Sequence, residues 1–267
     1  MFGRFLCVCM VIICSAPLVP SLTHGATPIA CDDFEGGSSW NYSSKWDSGD
    51  ALADEWSICS NEKKSGSYCV QSKPPGDPVW AADSVFCKSL PTSGNEIFIR
   101  FWFKAGPNMN NCLFEFMRLT AVSGSDEIEI GTGYPCGTNC TAHCYSPSQG
   151  INVSNGWLNP TTATSWTEYA MYINYSQKRL IFWRNAQSYT ESDASAVVIP
   201  FQFVNKYNRI LLGAYYKQWN PSTGRTGSTF WMDDVEVWNG IPDQDSPPPP
   251  PSEEPLGKPG RPALVSQ

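Results

Sequence analysis

Residues 96–104 read EIFIRFWFK, and their alternation is the clearest indication of fold class in the chain. Apolar side chains occupy every second position from Ile97 to Phe103, which is the two-residue period of a β-strand. A strand with this pattern turns one apolar face toward a core. The stretch therefore predicts a β-strand.

Seven further segments show strand-like composition, and clusters of Gly, Pro, Asn and Ser separate them. These segments are residues 112–119, 126–130, 168–173, 179–183, 196–203, 208–216 and 229–238. No window of about a dozen residues shows a helical period. Many short strands joined by turn-rich loops predict an all-β fold, a two-sheet antiparallel β-sandwich or jelly roll.

The two ends of the chain are predicted to lie outside this domain. Residues 1–25 have the features of a secretory signal peptide, with Arg4 ahead of an uncharged apolar stretch at residues 5–15. That stretch is too short for a membrane-spanning helix. Residues 242–267 are rich in proline and predict a disordered tail. The jelly-roll domain is therefore expected at residues 26–241, and the mature protein is expected to be secreted, without a membrane span.

The cysteines agree with an exported protein. Three of the eleven cysteines lie in the predicted signal peptide, which leaves eight. An even number in an exported chain predicts a disulfide framework, and sequence alone does not determine the pairing. The eight are Cys31, Cys59, Cys69, Cys87, Cys112, Cys136, Cys140 and Cys144. Zinc binding by the last three with His143 is a weaker alternative, because export favours oxidised thiols and the spacing is not that of a zinc finger.

Charge and aromatic content bear on the partner. The formal net charge of −7 and the lack of a basic stripe argue against nucleic acid. The chain has 11 Trp, 11 Tyr and 13 Phe, and such rings either fill a core or stack on sugar rings. Those in or next to predicted loops are the candidate carbohydrate-binding residues: Trp40, Trp46, Trp80, Trp157, Trp219 and Tyr216. Trp102, Trp166, Trp183 and Trp231 lie in or beside strands and are expected in the core.

Two terminal segments carry a resemblance to a known family. Residues 31–37 read CDDFEGG and residues 230–238 read FWMDDVEVW. This pair resembles the first and last strands of concanavalin-A-like lectin/glucanase jelly rolls and related sugar-binding modules. Residues 97–119 and 166–185 resemble the paired strands and hairpin of the same folds. The resemblance implies that the two terminal strands lie side by side and that the ligand is a poly- or oligosaccharide.

The resemblance also implies a structural calcium ion. Alternation along the last predicted strand places Asp233 on the same face as Val235 and Val237, where burying a carboxylate is costly unless it is paired or binds a cation. Related modules often hold calcium with oxygens from the first and last strands. By resemblance, the calcium ligands would be Asp233 with Asp33 or Glu35. The alternative is that these acids are solvated or cap turns.

A third resemblance concerns hydrolysis. Glu127 and Glu129 lie on one face of a predicted strand, about 7 Å apart. Laminarinase-type glucanases carry three acids at alternate positions of such a strand, of which the first is the nucleophile and the third the acid/base. In this chain Gly131 occupies the third position. The missing proton donor argues against this mechanism.

A lyase is a further alternative. It needs a base to remove the proton α to a uronate carboxyl, and a cationic or amide group to neutralise that carboxyl. The one histidine outside the predicted signal peptide is His143. Arg100 and Arg118, with Tyr172 or Tyr215, are the other candidates for this site.

These observations rank three functions. The first is a secreted carbohydrate-binding jelly roll without catalysis, which the aromatic loops and the incomplete acid triplet favour. The second is a polysaccharide lyase or atypical glycoside hydrolase on the same fold. The third is a structural or adhesive surface protein that contacts other proteins.

Overall fold

The computed structural model of the chain is all-β. It describes residues 25–37, 45–49, 56–72, 83–106, 113–120, 127–131, 142–146, 151–155, 164–200, 206–218 and 229–243. These residues include no α-helix, and hence no helix that is long and apolar enough to cross a membrane. Residues 1–24 of the predicted signal peptide and residues 244–267 of the predicted tail lie outside the described part.

The described residues form fifteen strands. They are β1 (Pro28–Asp32), β2 (Ser48–Gly49), β3 (Trp56–Cys59), β4 (Cys69–Ser72), β5 (Asp83–Ser89), β6 (Glu96–Ala105), β7 (Leu113–Thr120), β8 (Glu127–Gly131), β9 (Ala142–Ser146), β10 (Ile151–Asn155), β11 (Thr167–Asn174), β12 (Arg179–Arg184), β13 (Val197–Pro200), β14 (Arg209–Gln218) and β15 (Phe230–Trp238). Each of the eight strands predicted from alternation and composition coincides with one of them.

The strands form two main antiparallel sheets. The eight-stranded sheet has the order β13-β12-β11-β6-β15-β4-β3, and β1 also pairs with β15. Strands β4 and β1 therefore pair with successive halves of β15, at residues 230–232 and 235–238. The five-stranded sheet has the order β2-β5-β14-β7-β8, and β9 and β10 form a separate hairpin. The expected pairing of the first and last strands is confirmed.

The core lies between the two main sheets. The alternate residues of β6 that were expected to face a core do so, and they meet residues of β7 and β14. These side chains are Ile97, Ile99, Phe101 and Phe103 on one side and Met117, Leu119, Ile210 and Leu212 on the other, none more than 1% exposed. Complete burial of such a side chain stabilises a fold by about 1.5–3 kcal/mol.

A β-bulge in β15 overturns the predicted facing of its residues. The pairing of β15 with β6 shifts directly after Asp233, which is the partner of Trp102, and Asp234 has a φ of 47°. Because of the extra residue, side chains after the bulge face the opposite side of the sheet from the side that simple alternation predicts. Val235 and Val237 face the core, whereas Asp233 faces away from it. The prediction that Asp233 shares a face with these valines is wrong, because alternation fails across a bulge.

A second apolar cluster covers the opposite face of the eight-stranded sheet, its outer face. Its buried members are Phe98, Ala170, Tyr172, Ile181, Trp183 and Trp238. Residues 185–196, the β12–β13 loop, lie over them and insert Tyr189, whose ring centre is 4.9 Å from that of Phe98. Asp193 fixes the loop by accepting backbone hydrogen bonds from Gln187, Ser188 and Ser195. The loop thus closes this part of the outer face.

Candidate functional site

The outer face of the five-stranded sheet is the main candidate surface. Because Met117, Leu119, Ile210 and Leu212 face the core, the residues that alternate with them face the other way. On this outer face lie Thr120 of β7 and Arg209 and Leu211 of β14, and alternation places the position of Arg118 there too, although its side chain lies outside the described part. Thr120, Arg209 and Leu211 are half-buried. The face therefore combines charged, hydroxyl and apolar groups.

The acidic strand predicted from the sequence joins this face. Glu129 is the Cα partner of Arg118, and Glu127 is that of Thr120, so all four share one face. Strand β9, which carries His143, packs against β8. The structure thus brings the positions of the two glutamates and the histidine to the β8 edge of the five-stranded sheet. The side chains of Glu127, Glu129 and His143 lie outside the described part of the chain.

Arg209 is a member of this face that was not among the predicted site residues. Its Nε donates a hydrogen bond of 2.6 Å to Sγ of Cys87 on the neighbouring strand β5. Because the two residues share the outer face, this contact holds the guanidinium near the sheet. Arg209 lies in the predicted strand 208–216, but its neighbours depend on strands that are distant in the sequence, and the pattern of this segment does not identify them. Tyr216 lies in the same strand β14, as partner of Phe114, and its side chain is outside the described part.

Arg100 does not belong to this surface. It lies on β6, and its side chain faces away from the core on the outer side of the eight-stranded sheet. Its Nη2 is 2.5 Å from Oε1 of Glu236, and its Nη1 donates to the Tyr189 hydroxyl at 3.2 Å. The sequence predicts Arg100 and Arg118 as candidates for one lyase site, but the two residues lie on different sheets, so Arg100 does not lie with Arg118.

The groups around Arg100 form a buried electrostatic network. Tyr189 donates from its hydroxyl to Oε1 of Glu168 at 2.9 Å, and Trp238 donates from Nε1 to Oε2 of Glu236. Burial raises the pKa of Glu168 and also that of Tyr189. Burial acts against the charge of Arg100, but the nearby Glu236 carboxylate and Tyr189 outweigh it and raise the pKa of Arg100. The network joins the β12–β13 loop to the sheet.

Residues 60–68, the β3–β4 loop, lie across another part of the outer face of the eight-stranded sheet. Oδ2 of Asp233 accepts hydrogen bonds from the backbone N–H groups of Lys64 and Ser65, at 2.9 and 3.2 Å. Oε1 of Glu35 accepts hydrogen bonds from those of Ser67 and Tyr68, at 2.7 and 3.0 Å. The two acids therefore hold the two ends of one turn.

The turn between these two contacts depends on a glycine. Gly66 has a φ of 54°, a left-handed conformation that other residues adopt at a cost. A Cβ at this position would lie 2.2 Å from Oε1 of Glu35. The Lys64 ammonium lies 4.1 Å from the centre of the Trp102 ring, which adds a cation–π contact between the loop and the sheet.

Trp46 is not a stacking ring for sugars. It is 2% exposed, and its Nε1 donates a hydrogen bond of 2.8 Å to Oδ2 of the buried Asp32. The prediction that Trp46 binds carbohydrate is therefore wrong, because its ring fills the core beside β1. Of the tryptophans expected in the core, Trp183 is fully buried, in the outer-face cluster, whereas Trp102, Trp166 and Trp231 are half-buried. The other candidate rings, Trp40, Trp80, Trp157 and Trp219, lie outside the described residues.

Four of the predicted disulfide-forming cysteines are described with their side chains. Cys31, Cys59, Cys69 and Cys87 are free thiols in this structure. Cys112, Cys136 and Cys140 lie outside the described residues, as does the side chain of Cys144 in β9. The disulfide framework stays a prediction.

Comparison with known proteins identifies the fold. No family model and no curated protein matches the chain. Among solved structures, the cellulose-induced protein Cip1 matches with a TM-score of 0.53 and 14% identity, over 80% of this chain and 99% of its own. An endo-β-1,4-glucuronan lyase from the fungus Trichoderma reesei matches with a TM-score of 0.54 and 14% identity, over 79% and 95%. The chain has the concanavalin-A-like jelly-roll fold.

A third solved structure agrees with this jelly roll. The catalytic domain of a glycoside hydrolase family 131 protein from Coprinopsis cinerea matches with a TM-score of 0.50 and 13% identity. The match covers 82% of this chain and 99% of that domain. At these identities the likeness shows the fold, and the site must be argued from the residues of this chain.

The calcium site expected of this jelly roll can be tested against the donors present. Asp33 fits poorly, because its Oδ1 lies 3.5 Å from the Lys45 ammonium. Glu35 and Asp233 hold the two ends of one loop, and an ionised carboxylate has about four acceptor sites, so each can accept further contacts beside its backbone hydrogen bonds. Among the described residues, no group of three or more His, Cys, Asp or Glu is placed to hold a metal ion. Calcium at Glu35 and Asp233 therefore stays a prediction.

Proposed function

We propose that this protein is an exported polysaccharide-binding jelly roll whose ligand lies on the outer face of the five-stranded sheet. Two of the three similar structures are named for acting on polysaccharides or glycosides, and the third is induced by cellulose. Each match covers about four fifths of the chain. Carbohydrate is the class of molecule that all three names mention, and this supports a polysaccharide as the ligand proposed for this chain.

The outer face of the eight-stranded sheet is already covered, which favours the five-stranded sheet as the ligand-binding face. The β12–β13 loop and the network of Arg100 fill the outer face of the eight-stranded sheet, where Phe98 and Trp183 are fully buried. An extended sugar chain would have to displace this loop and expose these rings. The described groups on the five-stranded sheet keep partial exposure instead, as Thr120, Arg209 and Leu211 do.

The residues at this face have the chemistry that sugar binding needs. Charged and hydroxyl groups at Arg209, Arg118 and Thr120 can bond to sugar hydroxyls, and Tyr216, further along β14, is the aromatic residue that we propose stacks on a pyranose face. They lie on the adjacent strands β7 and β14, so an extended ligand crossing the strands would meet them in turn. The proposal needs no catalytic group.

Binding to a panel of polysaccharides tests the proposal, with cello-oligosaccharides and β-1,4-glucuronan in the panel and calorimetry as the readout. We expect Arg209→Ala and Tyr216→Ala each to weaken binding by about tenfold or more, which is about 1.4 kcal/mol. The matched control is Arg179→Ala, which removes the same charge from an exposed ion pair on the other sheet. No binding across the panel would reject the proposal and favour an adhesive surface protein.

A second candidate, a polysaccharide lyase, is favoured by one observation. Glu129 and Arg118 are paired across β8 and β7, and β9 with His143 packs against β8. A lyase removes the proton next to a uronate carboxyl and expels the sugar at the neighbouring carbon, which leaves a C=C bond. Arg118 would neutralise the carboxyl, and His143 would accept the proton.

This second candidate has its own assay. Incubation with β-1,4-glucuronan would produce an unsaturated end group that absorbs ultraviolet light. His143→Ala should abolish the signal and leave binding in place. If neither unsaturated product nor new reducing ends form, both lyase and hydrolase activity are rejected. The binding proposal would be unaffected by that result.

A further inference from the structure

Cys59 and Cys69 face each other across the β3–β4 hairpin. They are Cα partners, and their Sγ atoms are 2.7 Å apart. Directly opposed residues of an antiparallel pair have Cα atoms about 4.5–5.5 Å apart, within the range of about 4.4–6.8 Å that a disulfide needs. The backbone is therefore already placed for a bond between the two sulfurs.

The surroundings of the two thiols suit oxidation better than metal binding. Sγ of Cys59 and Sγ of Cys69 both contact the carbonyl oxygen of Glu62, a backbone acceptor. Cys69 is fully buried and Cys59 is half-buried. The residues that the structure describes place no group of metal ligands at the pair. Exchange with a disulfide can begin at the half-buried sulfur.

We propose that Cys59 and Cys69 form a disulfide bond in the exported protein, and that this bond closes the β3–β4 loop. The inference is independent of the proposed ligand. It selects one pair from the many pairings that the sequence allows.

The chemistry is thiol–disulfide exchange with a disulfide-containing oxidant. The Cys59 thiolate attacks one sulfur of the oxidant, which breaks its S–S bond and forms a mixed disulfide. The Cys69 thiolate then attacks the Cys59 sulfur and releases the oxidant as two thiols. Two electrons and two protons pass from the pair to the oxidant. The hydrogen bond from Cys69 lowers the pKa of Cys59, and contact with Cys59 raises that of Cys69, which supports this order.

The bond would fix a loop that joins three distant strands. The loop starts after Cys59, binds Asp233 of β15 and Glu35 after β1, and ends at Cys69. Glu62 of the same loop also pairs with Lys104 of β6, at 2.6 Å. A covalent closure at its base restricts the unfolded loop and so favours these contacts.

Peptide mapping of the full-length exported protein tests the pairing. Free thiols are first alkylated in denaturant without reductant, and the chain is then cut with trypsin and with a protease specific for aspartate. Trypsin cuts after Lys63 and Lys64, between the two cysteines, and the second protease separates Cys69 from Cys87. We expect the Cys59 and Cys69 peptides to stay joined, with a mass two hydrogens below their sum, until reductant is added.

Two results would overturn the proposal. One is alkylation of both Cys59 and Cys69 without reductant, and the other is a link from either residue to a different cysteine. Cys69→Ser provides a second test, because it should leave Cys59 open to alkylation without reductant. A Cys59 that stays unlabelled in denatured Cys69→Ser would also overturn the pairing.

Discussion

Arg100 and Glu236 are Cα partners on β6 and β15, and Nη2 of Arg100 lies 2.5 Å from Oε1 of Glu236. The Glu236 side chain is 8% exposed and the Arg100 side chain 27% exposed. An arginine is the residue type that could bind a uronate carboxylate. Here Arg100 instead binds Glu236 and Tyr189, and so holds the sheet and the β12–β13 loop together.

Arg100→Met should therefore destabilise the protein without changing polysaccharide binding. Removing one partner leaves Glu236 buried and unpaired, and because Arg100 keeps some exposure we expect a loss of about 2–3 kcal/mol. Urea denaturation measures it. The control, Arg179→Met, breaks the exposed pair with Glu191 and should cost less than about 1 kcal/mol. Equal losses in the two variants would contradict the structural role of Arg100.

Gly66→Ala should destabilise the β3–β4 loop. The substitution combines a positive φ with a Cβ placed against Glu35, so we expect a loss of about 1–3 kcal/mol in the free energy of unfolding. Gly94→Ala is the matched control, because its nearest neighbour would be a backbone oxygen at an ordinary 3.7 Å. Denaturant titration of both variants makes the comparison, and equal stability would argue against the described turn.

Asp233 should make the free energy of unfolding of the metal-free protein fall as the pH rises from about 4 to about 7. Burial raises the pKa of Asp233 to about 7 in the folded protein, from an unperturbed 3.8. The folded state then binds more protons than the unfolded state between these values, so unfolding becomes easier with rising pH. In a chelating buffer, Asp233→Asn should flatten the dependence of the free energy of unfolding on pH over this window. An exposed aspartate substituted in the same way, Asp243→Asn, should leave the slope unchanged.

Calcium should stabilise the protein through Glu35 and Asp233. An ion that binds the folded state alone raises the melting temperature, and the rise grows with the logarithm of its concentration relative to its Kd. We expect millimolar calcium to raise the melting temperature, a chelator to reverse the rise, and Glu35→Gln to remove the response. Magnesium at the same concentration is the control, because it demands a stricter geometry. A melting temperature that is the same with and without calcium would reject this site.

Trp46→Phe should lower stability and leave polysaccharide binding intact. The variant loses the hydrogen bond to the buried carboxylate of Asp32 and part of the core volume, at a cost of about 2–3 kcal/mol. Denaturant titration gives the loss, and calorimetry with the bound polysaccharide gives the affinity. A tenfold loss of affinity with unchanged stability would restore Trp46 as a binding residue.

Local sequence pattern was enough to predict the long strands and the fold class. Residues 96–104 alternate without interruption, so β6 could be read directly, and the terminal resemblance identified β1 and β15 as neighbours. Short strands were missed where the pattern is brief, as in β2 with two residues and β4 with four. A run of that length cannot show a period.

The candidate site was harder to predict because it depends on which strands become neighbours. Arg100 and Arg118 look equivalent in the sequence, but pairing puts one on each sheet. The bulge at Asp234 reversed the facing of the residues after it, and a positive φ at an aspartate leaves no clear mark in the sequence. The loop position of Trp46 suggested exposure, whereas the carboxylate of Asp32 holds its ring in the core.

The central place of β15 also limits when this chain can fold. The strand pairs with β1, β4 and β6, yet it is the last described strand to be synthesised. Until residues 230–238 emerge, β6 lacks a neighbour along one edge, and closing so long a loop carries a large entropic cost. Folding is therefore expected to be slow and to complete only after residues 230–238 have been synthesised, as for other chains dominated by distant pairings. The predicted export would benefit from this order, because an unfolded chain is the form that a translocation channel can thread.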